Sequence, residues 1–160
     1  VKKLDNILSK IEQYFIGILI LIITIILFIN VVLRYFNMSF DWAEEFARYG
    51  IVWVTFIGAS VCIYKGAHIG VDALLSFLSN RGKKVLTLIT IILAVIFTAF
   101  FTLQSLNLTL KVLETGQVSS TIEVSMAYIY GAMPVGGALM LIRYIQQLIK
   151  TINCLKEDMA

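Results

Sequence analysis

Apolar stretches far longer than the helices of a soluble domain alternate with short polar ones along this chain. Four runs carry no Asp, Glu, Lys, Arg or His: Tyr14 to Leu33 is twenty residues, Tyr49 to Tyr64 sixteen, Val85 to Leu110 twenty-six and Val124 to Ile142 nineteen. A bilayer core of ~30 Å takes about 20 apolar residues in a helix, so each run predicts a membrane span. With their flanks the predicted spans are residues 14–36, 41–64, 84–110 and 124–149. The second reaches full length by starting near Asp41 and carrying Glu44, Glu45 and Arg48 into the interface. The third exceeds what a bilayer requires and should tilt or protrude at the end holding Gln104, Ser105 and Asn107.

Two shorter segments have a helical apolar stripe without the length to cross. Leu4, Ile7, Leu8 and Ile11 fall at i, i+3, i+4, i+7, as do Val71, Leu74, Leu75 and Leu78. They predict amphipathic helices over residues 2–13 and 68–80, lying along the membrane surface. Such helices either edge the bundle or brace a larger neighbour, and the pattern leaves both open. The fold class is therefore an all-α integral membrane protein, one membrane domain over residues 1–160, with four transmembrane and two membrane-parallel helices.

Composition agrees. Of 160 residues, 59% are hydrophobic and 14% charged, against about 45–50% and 25% in soluble domains. Disorder is excluded by the same numbers. The net charge of +3 is too small to suggest nucleic acid. The distribution of the cations matters more: ten Lys and Arg fall on one side of the predicted spans, and only Arg34, Arg48 and Lys111 on the other. By the positive-inside rule both termini are cytoplasmic, with 36–41 and 111–123 outside. The first run is longer than a signal peptide's ~7–15 apolar residues and ends without small residues, so it reads as a retained anchor.

Several chemistries lack their minimum residue set. His68 is the single histidine, whereas a haem between spans usually needs two His or a His with a Met. On the predicted topology His68 lies across the membrane from the outer carboxylates, which leaves no catalytic triad. No glycine group has the strand and Lys-Ser/Thr context of a phosphate loop. Cys62 and Cys154 offer neither zinc spacing nor a disulfide framework. No ionisable residue falls in the middle of a span, where ion and substrate sites concentrate. Enzyme, pump and small proton-coupled exporter are all disfavoured, and no cofactor or metal ligand set is found.

The second span is the most distinctive. Trp42, Phe46, Tyr49, Trp53 and Phe56 are spaced 4, 3, 4, 3 and form an aromatic stripe. A structural reading makes Trp42 and Tyr49 an interfacial belt, Asp41 a helix cap with Glu44 three residues on, and Glu44 to Arg48 an i,i+4 pair. It leaves unexplained two acids and an Arg so close to hydrocarbon. We expect a compact ion-pair knot of Arg34, Glu44, Glu45 and Arg48 that locks spans one and two or docks another subunit. In the fourth span Ala127 with Gly131, and Ala132 with Gly136, allow close helix approach. There Pro134 adds a kink by leaving the Tyr130 carbonyl without its N–H. His68 titrates near neutrality in general, but as an interfacial polar residue capping the next helix it needs no such role.

Three stretches together carry a resemblance: Ser39 to Tyr49 (Ser-Phe-Asp-Trp-Ala-Glu-Glu-Phe-Ala-Arg-Tyr), with Trp53 and Phe56 to Ala59 after it; Lys65 to Asp72 (Lys-Gly-Ala-His-Ile-Gly-Val-Asp); and Met133 to Gly136 in the last span. With Arg34-Tyr35 ending span one, the chain resembles the small permease of TRAP transporters, the tripartite ATP-independent periplasmic systems, over nearly its whole length. The resemblance implies a bacterial inner-membrane subunit that binds a large permease, separate or fused, and widens its static scaffold. The large permease would carry an organic acid, commonly a dicarboxylate or sialic acid, inward with Na⁺ by an elevator motion. A periplasmic binding protein would deliver the substrate, and 36–41 or 111–123 is the surface we expect it to touch. Membrane lipid is the remaining partner. Candidate scaffold or interface residues are Arg34, Trp42, Glu44, Glu45, Arg48, Tyr49, Trp53, His68, Asp72 and Pro134, with substrate and ion sites expected in the partner. Alternatives from other classes are a self-sufficient homodimeric four-helix exporter and a membrane assembly factor.

Overall fold

The computed structural model describes residues 2–65 and 80–157. The expected interfacial helix at 68–80, with His68 and Asp72, lies outside them apart from its last residue. Among the described residues there are five helices: α1 (Lys2–Tyr35), α2 (Asp41–Tyr64), α3 (Asn80–Thr115), α4 (Ala127–Tyr130) and α5 (Ala132–Glu157). Among the described residues, three helical segments are long and apolar enough to cross a membrane: Asn6–Tyr35, Asp41–Tyr64 and Val85–Thr115.

Two sequence expectations change here. The segment 2–13 is not a separate helix: α1 runs unbroken for 34 residues, about 51 Å at 1.5 Å per residue. No proline interrupts it, and Gly17, with nothing within 4 Å of where its Cβ would lie, does not by itself end a helix. The fourth expected span, in turn, is divided. Gly131 separates α4 from α5, yet it keeps helical dihedrals (φ −57°, ψ −24°). What is lost is one rung of the hydrogen-bond ladder. Pro134, third in α5, has no N–H for the Tyr130 carbonyl, while Gly131 N donates to Ala127 O and Val135 N to Gly131 O.

α1 ends in a Schellman motif: Asn37, at φ 58°, donates to Arg34 O, and Met38 N donates to Leu33 O. Asparagine is among the few residues that take this left-handed position readily. The chain then reverses into α2, whose N-cap is Phe40 and not Asp41. No side chain caps it from within; instead Asn30 Oδ1 of α1 accepts the Phe40 N–H at 2.7 Å.

The helices run up and down in a thin row, with α1 on α2, α2 on α5 and α5 on α3. Glycines set the closest approaches. A Cβ on Gly136 would lie 2.5 Å from Phe56 Cβ and 2.9 Å from the Phe56 carbonyl oxygen. One on Gly137 would lie 2.6 Å from Thr102 Oγ1. Consecutive glycines thus let α5 touch α2 on one side and α3 on the other, the small-residue packing common between membrane helices. Gly136 was expected in this role and Gly137 was not; the atoms nearest to a Cβ on Gly131 belong to the carbonyls of Ala127 and Tyr128 in the turn before it. Hydroxyls along α3 are absorbed by its own backbone, as Thr90, Thr98, Thr102 and Thr109 each donate to the carbonyl four residues earlier. That arrangement makes polar side chains tolerable in an apolar medium. Most large apolar residues of α1 and α3, including Ile18, Leu21, Phe28, Leu93, Phe97 and Leu103, face outward.

Candidate functional site

Three polar clusters stand at the two ends of this row. At the end bearing the α1–α2 turn, Glu45 is 9% exposed and points at the loop between α3 and α4. Its Oε2 accepts the backbone N–H groups of Thr121 at 2.9 Å and Ile122 at 3.0 Å. Its Oε1 accepts the Tyr49 hydroxyl one turn below and Ser120 Oγ at 3.4 Å. The loop needs such an anchor: Gly116 and Glu123 both have positive φ, at 63° and 58°, and Val118 pairs with Ser125 through one isolated bridge. Glu45 therefore fastens this loop to α2.

Arg34, Asp41 and Glu44 gather nearby but differently. With Asn30, Ser39 and Phe40 they line a cleft of about 230 Å³ between the end of α1 and the start of α2. Among the described residues no ion pair joins any two of Arg34, Glu44, Glu45 and Arg48, so the expected knot is not formed. The reason is angular. Glu44 and Glu45 are ~100° apart around the helix, so one faces the cleft and the other the 119–122 loop, and Arg48 stays exposed. Of the aromatic stripe, Trp42 meets Phe46 edge-on at 6.4 Å and Phe40 at 5.6 Å. Phe56 stacks on Phe101 of α3 at 5.8 Å, and Trp53 is half-buried.

At the opposite end lies the cluster that sequence reasoning missed. Arg143 of α5 donates through Nη2 to Glu12 Oε2 of α1 at 2.7 Å and through Nε to Ser60 Oγ of α2 at 3.0 Å. Ser60 Oγ donates in turn to Glu12 Oε1 at 3.2 Å. The guanidinium also lies over the Tyr64 ring, 4.6 Å from its centroid. Glu12 and Arg143 are 4% and 3% exposed, so this is a buried ion pair clamping three helices. Tyr64 adds a bond from its hydroxyl to Asn6 Oδ1 of α1. One signal was available: Glu12 stands two residues before the first apolar run and Arg143 one residue after the last. Neither position stands out from the other charges that flank the apolar runs.

The polar groups thus join helix to helix and loop to helix. Residues 23–154 match the family described as tripartite ATP-independent periplasmic transporters, DctQ component. The chain is 26% identical over 110 residues to the C4-dicarboxylate TRAP transporter small permease protein of Rhodobacter capsulatus, covering 69% of this chain and 48% of that one. It is 26% identical over 147 residues to the sialic acid TRAP transporter permease protein of Haemophilus influenzae, covering 91% of this chain and 23% of that one. It is 28% identical over 107 residues to the isethionate TRAP transporter permease protein of Oleidesulfovibrio alaskensis, covering 67% and 17%. Among the small permease proteins of Rhodobacter capsulatus and Vibrio cholerae, the matched region spans about half the relative's length or less, 48% and 43%.

Proposed function

The chain belongs to the DctQ component family of tripartite ATP-independent periplasmic (TRAP) transporters, and from that membership we propose that it is the small membrane subunit that enlarges the fixed scaffold of such a transporter. The large permease carries the organic acid and its coupling Na⁺, and this subunit holds neither. The observation that supports this division is where the buried charges go. Glu12, Glu45 and Arg143, the charged side chains buried among the described residues, are all engaged in fastening helices or a loop. A carrier site would instead keep ionisable groups near the midplane, facing a cavity.

The outward apolar faces of α1 and α3 suit lipid on one side and the large permease on the other. α4 and α5 together make the fourth crossing, and an even number of crossings puts the start of α1 and the end of α5 on the same side, the cytoplasmic one by the cation excess there. Two relatives are matched over only 23% and 17% of their length, as expected if they join the two permeases in one polypeptide. The binding protein would meet the outer face at 36–41 or 111–123, where Glu45 holds the loop in place. Co-purification from native membranes, followed by uptake in proteoliposomes, tests the assignment. Recovery of a large permease at equal stoichiometry, with uptake that needs both chains, a binding protein and Na⁺, supports it. Transport by this chain alone refutes it.

A further inference from the structure

The cleft between α1 and α2 is not explained by a scaffold role. Its walls bring Arg34 together with two carboxylates, Asp41 and Glu44, yet among the described residues none of these charges pairs with another. Opposite charges that share a cleft of about 230 Å³ without meeting leave room for something between them. The cleft is also built. Asn30, 7% exposed, holds the two helix ends at a set distance through its bond to Phe40 N. Because that bond engages its Oδ1, the side chain's remaining offer is its NH₂.

The chemistry on offer is therefore two-signed. A guanidinium and an amide NH₂ suit a phosphate, the guanidinium by a forked pair of hydrogen bonds. Two carboxylates close by suit a primary ammonium that can donate N–H. The surroundings place such a ligand at the level of lipid headgroups. Tyr35, Phe36, Phe40 and Trp42 are exposed around the cleft, as aromatic residues are where bilayer meets water. One or two turns below, Phe28, Val31 and Val32 of α1 are exposed and match acyl chains. We infer that this cleft binds a phosphoethanolamine zwitterion, the headgroup of phosphatidylethanolamine, with phosphate on Arg34 and Asn30 and ammonium on Asp41 and Glu44. The inference needs the chain to be in a membrane and is independent of which substrate, or whether any, the complex carries.

The test is lipid retention by the purified full-length chain, delipidated and then offered phosphatidylethanolamine, phosphatidylcholine or phosphatidylglycerol, read by native mass spectrometry. Phosphatidylcholine keeps the positive charge but has no N–H to donate, and phosphatidylglycerol has no cation. Wild type should prefer phosphatidylethanolamine by about tenfold, the scale of one charge-assisted hydrogen bond. Arg34→Gln should lose retention, and Asp41→Asn with Glu44→Gln should level the preference over phosphatidylglycerol. All three side chains are exposed, so unchanged helicity and monodispersity should accompany these losses, and Glu114→Gln serves as an unaffected control. Soluble glycerophosphoethanolamine displacing the lipid at equal concentration would keep the chemistry and assign a soluble source; failure to displace assigns the lipid. Equal retention of the three lipids by wild type, or retention unmoved by both sets of substitutions, overturns the proposal.

Discussion

Breaking the buried pair from its two ends should have unequal effects, because only one partner can shed its charge. The pair is short, 2.7 Å, and the two side chains are 2% and 4% exposed. Replacing Glu12 by Met leaves the Arg143 guanidinium buried among α1, α2 and α5 with, among the described residues, Ser60 and the Tyr64 ring as its remaining partners. Arginine does not deprotonate in proteins, so the charge persists. The expected loss is about 3–5 kcal/mol, the scale of an orphaned buried charge. Replacing Arg143 by Met strands Glu12 instead, but a carboxyl can take up a proton and still accept from Ser60. That loss should be nearer 1–3 kcal/mol, the cost of a polar group short of one partner. The double Met variant removes both charges at once and should return to within about 1 kcal/mol of wild type or exceed it. Equilibrium unfolding of the purified chain in mixed detergents, run as a double-mutant cycle, measures all three. A Glu12→Met variant within about 0.5 kcal/mol of wild type, the range of an ordinary surface change, would refute the reasoning.

Glycine substitutions should separate by what the new methyl meets. Gly136→Ala, 2.9 Å from the Phe56 carbonyl, should cost about 1–3 kcal/mol in the same unfolding assay, without rescue by Phe56→Ala, which retains the clashing backbone and Cβ. Gly17→Ala, with open space at its Cβ, should gain up to about 1 kcal/mol from helix propensity. Glu45→Ala should speed hydrogen exchange at the Thr121 and Ile122 amides by about 10–100-fold, from the loss of charge-assisted bonds, whereas Glu44→Ala should leave those amides unchanged. Asn37→Gly should hold or raise stability and Asn37→Ala should lower it by about 1 kcal/mol, since φ is 58° there; the difference between the two variants is the quantity to measure.

The helices themselves were legible in the order of residues. An uncharged run such as Val85 to Leu110 must satisfy its backbone internally in a bilayer, and a helix does so through bonds four residues apart. The same local rule located the missing rung at Tyr130, because a proline without an N–H is visible in the sequence. The placement of Arg34, Asp41 and Glu44 around one short turn was likewise within reach, and the family signature over Ser39 to Tyr49 was readable directly. Partnership was not. Glu12 and Arg143 are 131 positions apart, and whether they meet depends on which faces of α1, α2 and α5 pack together. Glu45 and Glu44 are neighbours in sequence, yet one anchors a loop about 76 residues away and the other lines a cleft. A charge's type and approximate depth follow from the sequence; its direction across a bundle is set by glycine contacts such as Gly136 on Phe56, which exist only once the helices have packed.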